Sequence, residues 1–577
     1  MTASAILQLL LFFGLVALLT RPMGSYMARV FQGERTPLSP ALRPAERFLY
    51  RIFRIREDEE MPWTTYAFAL LAFSLAGGLF TYALLRLQGH LPFNPQHFSG
   101  REMRPDLAFN TSMSFMTNTN WQNYAPEATV STFSNMVALA SHNWMSAAAG
   151  IAVAVAVVRG FARHSVRGLG NFWVDVTRAT LYVLLPICLV GSLVLVWQGV
   201  PQNFSPYAQA TTLEGASQRI AQGPVASQEF IKELGTNGGG FFNANSAHPF
   251  ENPTPLTNLL ELLAIFLIPA GLTYTFGRMV GNTRQGWAIF VAMAVLFLAG
   301  LGLCYWAEAG GNPNVANLGV STLATADQPG GNMEGKETRF GIAGSALWAT
   351  VTTSASCGAV NSMHDSFTPL GGMVPLVNLM CDEVIFGGVG AGLYGILMYA
   401  VIAVFLAGLM VGRTPEYVGK RIEKAEVRLA VLAMLILFAG NAVGAGLATN
   451  LAGAYGNVGN GGPHGFAEIL YAYCSVTANN GSAFAGLNGN TPFFNLTFGL
   501  AMLIGRFLMI VPLLAMAGGL ARKKLVPVTA GTLSTDSVTF AFLLAAVVLI
   551  IGALEYLPAL ALGPIVEHFH MAAGQLF

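Results

Sequence analysis

Four short stretches of this chain combine small polar residues with glycine in a way that suits the binding of a bare cation. They are Phe115 to Gln122 (FMTNTNWQ), Leu234 to Phe241 (LGTNGGGF), Thr352 to Asn361 (TTSASCGAVN) and Val476 to Phe484 (VTANNGSAF). The last three place Gly238, Gly358 and Gly481 near the centre, and the first has Asn120 at about that position. Glycine reaches positive φ without a Cβ penalty, so successive carbonyls can turn toward one axis. Thr, Ser and Asn side chains add oxygens or brace such a loop from behind. The candidate ion-facing residues are therefore Thr119, Asn120, Asn237, Gly238, Gly239, Ser356, Cys357, Gly358, Asn479, Asn480 and Gly481. No Asp or Glu lies between Thr117 and Trp121, Thr236 and Phe241, Thr352 and Asn361, or Thr477 and Phe484. A divalent cation would favour a carboxylate ring, so carbonyl dipoles alone point to a dehydrated monovalent ion; spacing does not separate K⁺ from Na⁺.

The elements that must hold these stretches are membrane helices. Of 577 residues, 54% are hydrophobic and only 10% charged, which excludes an ordinary soluble protein. Ten apolar runs are long enough to span hydrocarbon, at roughly 3–20, 62–87, 130–158, 172–198, 254–280, 286–306, 368–412, 427–449, 493–521 and 538–562. The first is followed by Arg21-Pro22-Met23 without a cleavage pattern and reads as a retained helix. Five scattered cysteines without CxxC spacing argue against disulfides or zinc.

Setting the first and last runs aside, the other eight form four pairs, and each pair encloses one polar stretch. A short apolar segment precedes each stretch: Leu107 to Met116, Gln228 to Leu234, Ala343 to Thr352 and Phe466 to Ser475. Such pieces are too short to cross a bilayer and read as re-entrant. The expected fold is thus an all-α polytopic membrane protein of four pseudo-repeats, each helix, re-entrant pore helix, filter loop and helix. One extra helix flanks each end. The divisions are 1–61, 62–158, 172–280, 286–412, 427–521 and 538–562. Irregular backbone at membrane depth is tolerated only where protein buries it or it lines a cavity, so four converging loops would form a selectivity filter.

Basic residues cluster in alternate loops, such as Arg43, Arg47, Arg51 and Arg54, Arg159 and Arg163, Lys420 and Arg421, and Arg522, Lys523 and Lys524. If these loops are cytoplasmic, both termini face outside.

At these residues the chain resembles a known family. TNTNWQNY, ELGTNGGGFFNANSAHPFENPTP, TTSASCGAVNSMHDSFTPLGG, FGGVGAGLYG, GRTPEYVGKRIE, ANNGSAFAGL and IGRFLMIVPLLAMAGGLA are together similar to the potassium-binding A subunits of the bacterial Kdp potassium-transporting ATPases, in order from about residue 60 to 525. The resemblance implies K⁺ as the ion and a fold shared with the superfamily of potassium transporters. It also implies a bacterial inner-membrane complex with a P-type ATPase catalytic subunit and small accessory subunits. Ions would leave the filter sideways into the ATPase subunit, with residues matching Gln122, Glu383 and Arg506 along or near that route.

Arg506 lies near the centre of the 493–521 run, where an ionisable group is functional by default and needs a partner. Glu383, with Asp382 beside it, is the strongest candidate. This pair sits midway along the overlong 368–412 run, before Gly387, Gly388, Gly390 and Gly392, which would unwind a helix into a loop beneath the filter. There Arg506 would repel a cation from the straight path and Glu383 would draw it aside. A structural salt bridge between two helices is the plainer alternative. His142 and Glu261 are expected to make interhelical hydrogen bonds, and Asp175 with Arg178 to pair or snorkel.

No nucleotide chemistry is expected of this chain. Gly330 to Glu337 (GGNMEGKE) nearly matches a phosphate loop but ends in Glu in an outer loop. No DKTGT motif occurs, and the cytoplasmic loops are too short for a nucleotide domain. Cys357, His364 and Asp365 crowd one stretch and make a poor catalytic triad. The chain is therefore expected to be a transport subunit without a catalytic site, binding no nucleotide or nucleic acid. A self-sufficient potassium channel or ion-coupled transporter on the same plan is the runner-up. A membrane scaffold would leave the polar loops unexplained.

Overall fold

The structure is a computed structural model and describes residues 3–325, 328–527 and 532–575. Among the described residues ten helices are long and apolar enough to cross a membrane. The chain opens with α1 (Ala3–Phe31) and a short surface helix, α2 (Ser39–Phe53). The first repeat is α3 (Trp63–Leu87), α4 (Pro105–Met116) and α5 (Thr132–Ala162). The second is α6 (Phe172–Trp197), α7 (Val225–Leu234) and α8 (Pro255–Met279). The third is α9 (Thr283–Gly310), α10 (Gly341–Ser354), and α11 (Pro369–Met380) followed by α12 (Ala391–Val411). The fourth is α13 (Lys424–Asn450), α14 (Gly462–Ala478) and α15 (Pro492–Arg522), and α16 (Val538–Ala572) ends the chain. The only strands among the described residues form two short two-stranded hairpins.

Local sequence explains where the returning helices begin. Thr254-Pro255, Thr368-Pro369 and Thr491-Pro492 each start one, with the Thr hydroxyl accepting from the backbone N–H of Thr257, Gly371 and Phe494. Ser131 does the same for the first repeat, accepting from Ser134. A hydroxyl cap followed by proline satisfies an orphan N–H and presets φ for the first turn.

The overlong apolar run is broken, as its glycines require. Between α11 and α12 the chain turns at Asp382, Glu383, Phe386 and Gly390, all at positive φ. A Cβ on Gly390 would collide with the carbonyl of Gly150 on α5. Helix α5, rich in Ala, Gly and Val, is the most enclosed span, and its small side chains admit this close approach.

Two expectations change. Helix α1 continues through Pro22 to Phe31, beyond the apolar run ending near residue 20. It continues because Gly24 packs directly on Gly271 of α8 and Thr275 Oγ1 donates to the Gly24 carbonyl at 3.0 Å. Asp175 and Arg178 do not pair with each other. Asp175 takes both guanidinium nitrogens of Arg159 at 2.6 and 2.8 Å, and Arg178 binds Glu46 at 2.9 Å and also Glu57. One helical turn leaves the two side chains facing different neighbours, and each finds a partner on another segment.

The chain's last helix is tied to two repeats at the surface. His464 Nδ1 lies 2.7 Å from Glu567 on α16, and its Nε2 3.0 Å from Asp365, just before α11. Burial alone would lower the pKa of His464, but hydrogen bonds to Asp365 and Glu567 and their charges raise it to about 10. An unfolded histidine titrates near 6.5. The latch therefore contributes fully below about pH 6.5, weakens as pH rises from there, and is lost above about pH 10. His464→Gln should flatten the fall in melting temperature across this window, measured by thermal unfolding in detergent. An unchanged pH profile would exclude the latch as a charged contact.

Candidate functional site

The four polar stretches leave the C-terminal ends of α4, α7, α10 and α14 and turn with one repeated backbone rhythm. Positive φ occurs at Asn118 and Asn120, Thr236 and Gly238, Ser356 and Gly358, and Asn479 and Gly481, always two residues apart. In the second loop Gly239, next to Gly238, adds a further positive φ. Asn120, Gly238, Gly358 and Gly481 thus occupy equivalent positions in the four loops.

The loops close on one another. A Cβ on Gly238 would strike the carbonyl of Cys357, one on Gly358 that of Asn480, and one on Gly481 that of Thr119. On Gly239 it would lie 3.0 Å from the Asn120 carbonyl oxygen. Each loop therefore abuts the next in the order one, two, three, four and back to one. Side chains staple three of the four joints. Asn118 Nδ2 donates to the Thr236 carbonyl at 3.0 Å, and Asn237 Nδ2 to Asn118 Oδ1 at 2.6 Å. Ser356 Oγ donates to the Asn479 carbonyl at 3.1 Å, Asn480 Nδ2 to the Thr352 carbonyl at 3.0 Å, and Asn479 Nδ2 to Thr119 Oγ1 at 3.0 Å.

In the loops, Asn120 Oδ1 and Asn237 Oδ1 are buried without a hydrogen-bond partner among the described residues, and the amide nitrogens of both bond to Asn143 of α5.

One support was not anticipated. Lys232, on α7 and fully buried, donates to the Gly239 carbonyl at 3.0 Å and pairs with Glu229 at 2.8 Å and Glu251 at 2.5 Å. Glu251 Oε1 in turn accepts from the Phe242 N–H at 2.7 Å. The second loop, the one with three glycines, is thus pinned from behind by an ammonium and a carboxylate. The charges in Glu229 to Glu233 inside a pore helix were the available signal. Glu261 departs from its expected hydrogen bond. Both its oxygens are buried without a partner, close to Glu229 and Glu233. His142 does make one, 2.9 Å from Thr81 Oγ1.

The loop between α11 and α12 lies against the deep end of the ring. Thr236 Oγ1 accepts from the Val389 N–H at 2.9 Å, and Asn480 Nδ2 donates to Glu383 Oε1 at 2.6 Å. Asp382 accepts from Tyr399 at 2.9 Å. Arg506 sits in a π-helical turn of α15 beside the same loop: a Cβ on Gly150 would be 2.7 Å from the Val389 carbonyl oxygen and 3.1 Å from Arg506 Nη2. No ion pair joins Arg506 to Glu383; Asn480 takes one Glu383 oxygen, Oε1. Gln122 is at the opposite end. Its Oε1 accepts from the Gly240 N–H at 3.0 Å, and it lines a cleft that reaches Gly481.

The other chemical suspects are structural. Cys357 Sγ faces Glu233, His364 faces Tyr471, and Asp365 faces His464, so no triad assembles. Lys336 of the near phosphate loop is buried in an ion pair with Glu308 at 2.7 Å.

These features define a class: helical membrane proteins in which four pore-loop repeats surround one axis. The solved potassium transporter TrkH from Vibrio parahaemolyticus has this fold. It matches with a TM-score of 0.50 over 88% of this chain and 98% of its own, at 14% identity. The family model "Potassium-transporting ATPase A subunit" matches residues 10–569, and the chain belongs to that family. It is 60% identical, over the whole of both chains, to the potassium-transporting ATPase potassium-binding subunit of Mesorhizobium japonicum. The correspondingly named protein of Solibacter usitatus is 59% identical, again over both full lengths.

Removing one partner of a buried charge cluster leaves the others uncompensated, at a cost of about 3–5 kcal/mol. Lys232→Met should therefore lower the melting temperature sharply and reduce recovery of folded protein, read by size-exclusion chromatography after heating. Wild-type behaviour would remove Lys232 from the support of the second loop.

Proposed function

We propose that this chain takes up K⁺ from the outer side in the ring of four loops and passes it to a partner P-type ATPase subunit for ATP-driven, high-affinity uptake. The observation that supports this most is the repeated φ pattern at Asn118/Asn120, Thr236/Gly238, Ser356/Gly358 and Asn479/Gly481, in loops that abut in a closed order. Family membership and the names of the relatives favour K⁺ over Na⁺ and an ATPase complex over solitary action.

Thr119, Asn120, Asn237, Gly238, Gly239, Ser356, Cys357, Gly358, Asn479, Asn480 and Gly481 make up the ring. Apart from Gly239, their carbonyls replace the shell of water that a monovalent cation sheds. Since Lys232 draws the Gly239 carbonyl outward, Gly239 contributes shape, not an oxygen. Gln122 guards the entry. Below the ring, Arg506 opposes passage straight to the cytoplasm, and the loop of Asp382 and Glu383 steers the ion sideways. Hydrolysis of ATP takes place on the catalytic subunit, and small accessory subunits complete the assembly. The complex sits in the bacterial inner membrane, with both termini of this chain outside, a reading supported by the basic residues of the alternate loops.

Gly481→Ala should weaken K⁺ stimulation of ATP hydrolysis in the reconstituted complex by about tenfold or more, equivalent to some 1.4 kcal/mol of lost binding. Unchanged K⁺ dependence would exclude the ring as the filter. Arg506→Gln should leave K⁺ affinity near wild type but let K⁺ leak without ATP, measured as flux in liposomes. ATP-independent uptake by the unaltered chain alone would favour the self-sufficient transporter instead.

A further inference from the structure

Helix α2 has three separate faces. Glu46 and Tyr50, one turn apart and buried, dock it on α6: Glu46 binds Arg178 and accepts from Tyr182 at 2.8 Å. Arg43, Arg47, Arg51 and Arg54 follow at spacings of four, four and three, forming a basic stripe. Ala41, Ala45, Phe48 and Ile52, at spacings of four, three and four, form an apolar stripe about 130° round the helix from the arginines, with Phe48 bordering Arg51. Phe48 is 60% exposed, Ile52 55% and Phe53 68%.

The position of the helix matters as much as its faces. It lies between the end of α1 at Phe31 and the start of α3 at Trp63, and it docks near the first turns of α6. It therefore sits where three spans leave the membrane at the same end. The acids of its neighbourhood are largely engaged elsewhere: Glu57 with Arg178, Glu60 with Arg163 and Asp58 with Arg56. None of the four stripe arginines forms an ion pair among the described residues.

We infer that α2 is an interfacial anchor for anionic phospholipid: Phe48 and Ile52 enter the acyl region while Arg47, Arg51 and Arg54 bind headgroup phosphates. A soluble face would not expose Phe and Ile in a row. A protein-docking face would not need an arginine stripe along the edge of its apolar one. A helix lying flat in the headgroup layer needs both, with protein on one flank, and that is the arrangement here. Each arginine near an anionic surface contributes about a fivefold preference.

The test uses the whole complex in vesicles of phosphatidylcholine with and without phosphatidylglycerol. All five native cysteines are buried, so a nitroxide can be placed selectively on Phe48→Cys or Arg47→Cys. With phosphatidylglycerol, the label at 48 should be relaxed more by oxygen than by a polar nickel chelate, and the label at 47 the reverse. Replacing Arg47, Arg51 and Arg54 together by Gln should lower the number of phosphatidylglycerol molecules retained in native mass spectrometry and reduce lipid preference by about fivefold per arginine. The inference fails if both labels are equally chelate-accessible. It fails equally if both are shielded from oxygen and chelate, since a partner subunit then covers α2, or if lipid retention ignores the charge change.

Discussion

The controlling constraint is that no backbone N–H or carbonyl can be left bare at membrane depth. Four segments of this chain leave helical geometry there, and none could do so alone. Each solves the problem with its neighbour: a glycine or Asn120 brings one loop against the next, and Asn118, Asn237, Asn479 and Asn480 bridge three of the four joints with side-chain amides. The ring is thus stable as a unit of four, and the pairing of membrane helices around it follows from the need to bury it.

The same rule governs charge. Arg159 with Asp175, Lys336 with Glu308, and Lys232 with Glu229 and Glu251 are each matched within hydrogen-bonding distance. Arg506, half-buried beside the α11–α12 loop, forms no ion pair among the described residues, and neither do Glu261, Asp382 and Glu383. A guanidinium kept free of a carboxylate retains its full field.

Much of the architecture was legible because membrane spans declare themselves by length and composition. The equivalence of Asn120 with Gly238, Gly358 and Gly481, inferred from spacing, reappears in the φ values. The break in the 368–412 run followed from its glycines. The Thr-Pro starts of three returning helices were equally visible and would have fixed the repeat boundaries more closely. Pairings read poorly. Arg506 with Glu383 and Arg178 with Asp175 were plausible neighbours by position, yet Asn480 and Arg159 were the actual partners. Proximity along a helix says nothing about which other element a side chain faces.

By itself, then, the amino-acid order determined the spans, the four-fold repeat and the absence of carboxylates in the loops, since these depend on local composition and on spacing along one segment. Tertiary structure alone decided the order in which loops abut, the role of Lys232 behind Gly239, the division of Gln122 from Glu383 and Arg506 between opposite ends of the ring, and the exposure of one face of α2. Each of these depends on which of several chemically equivalent partners is brought within reach, and only the packing of distant helices makes that choice.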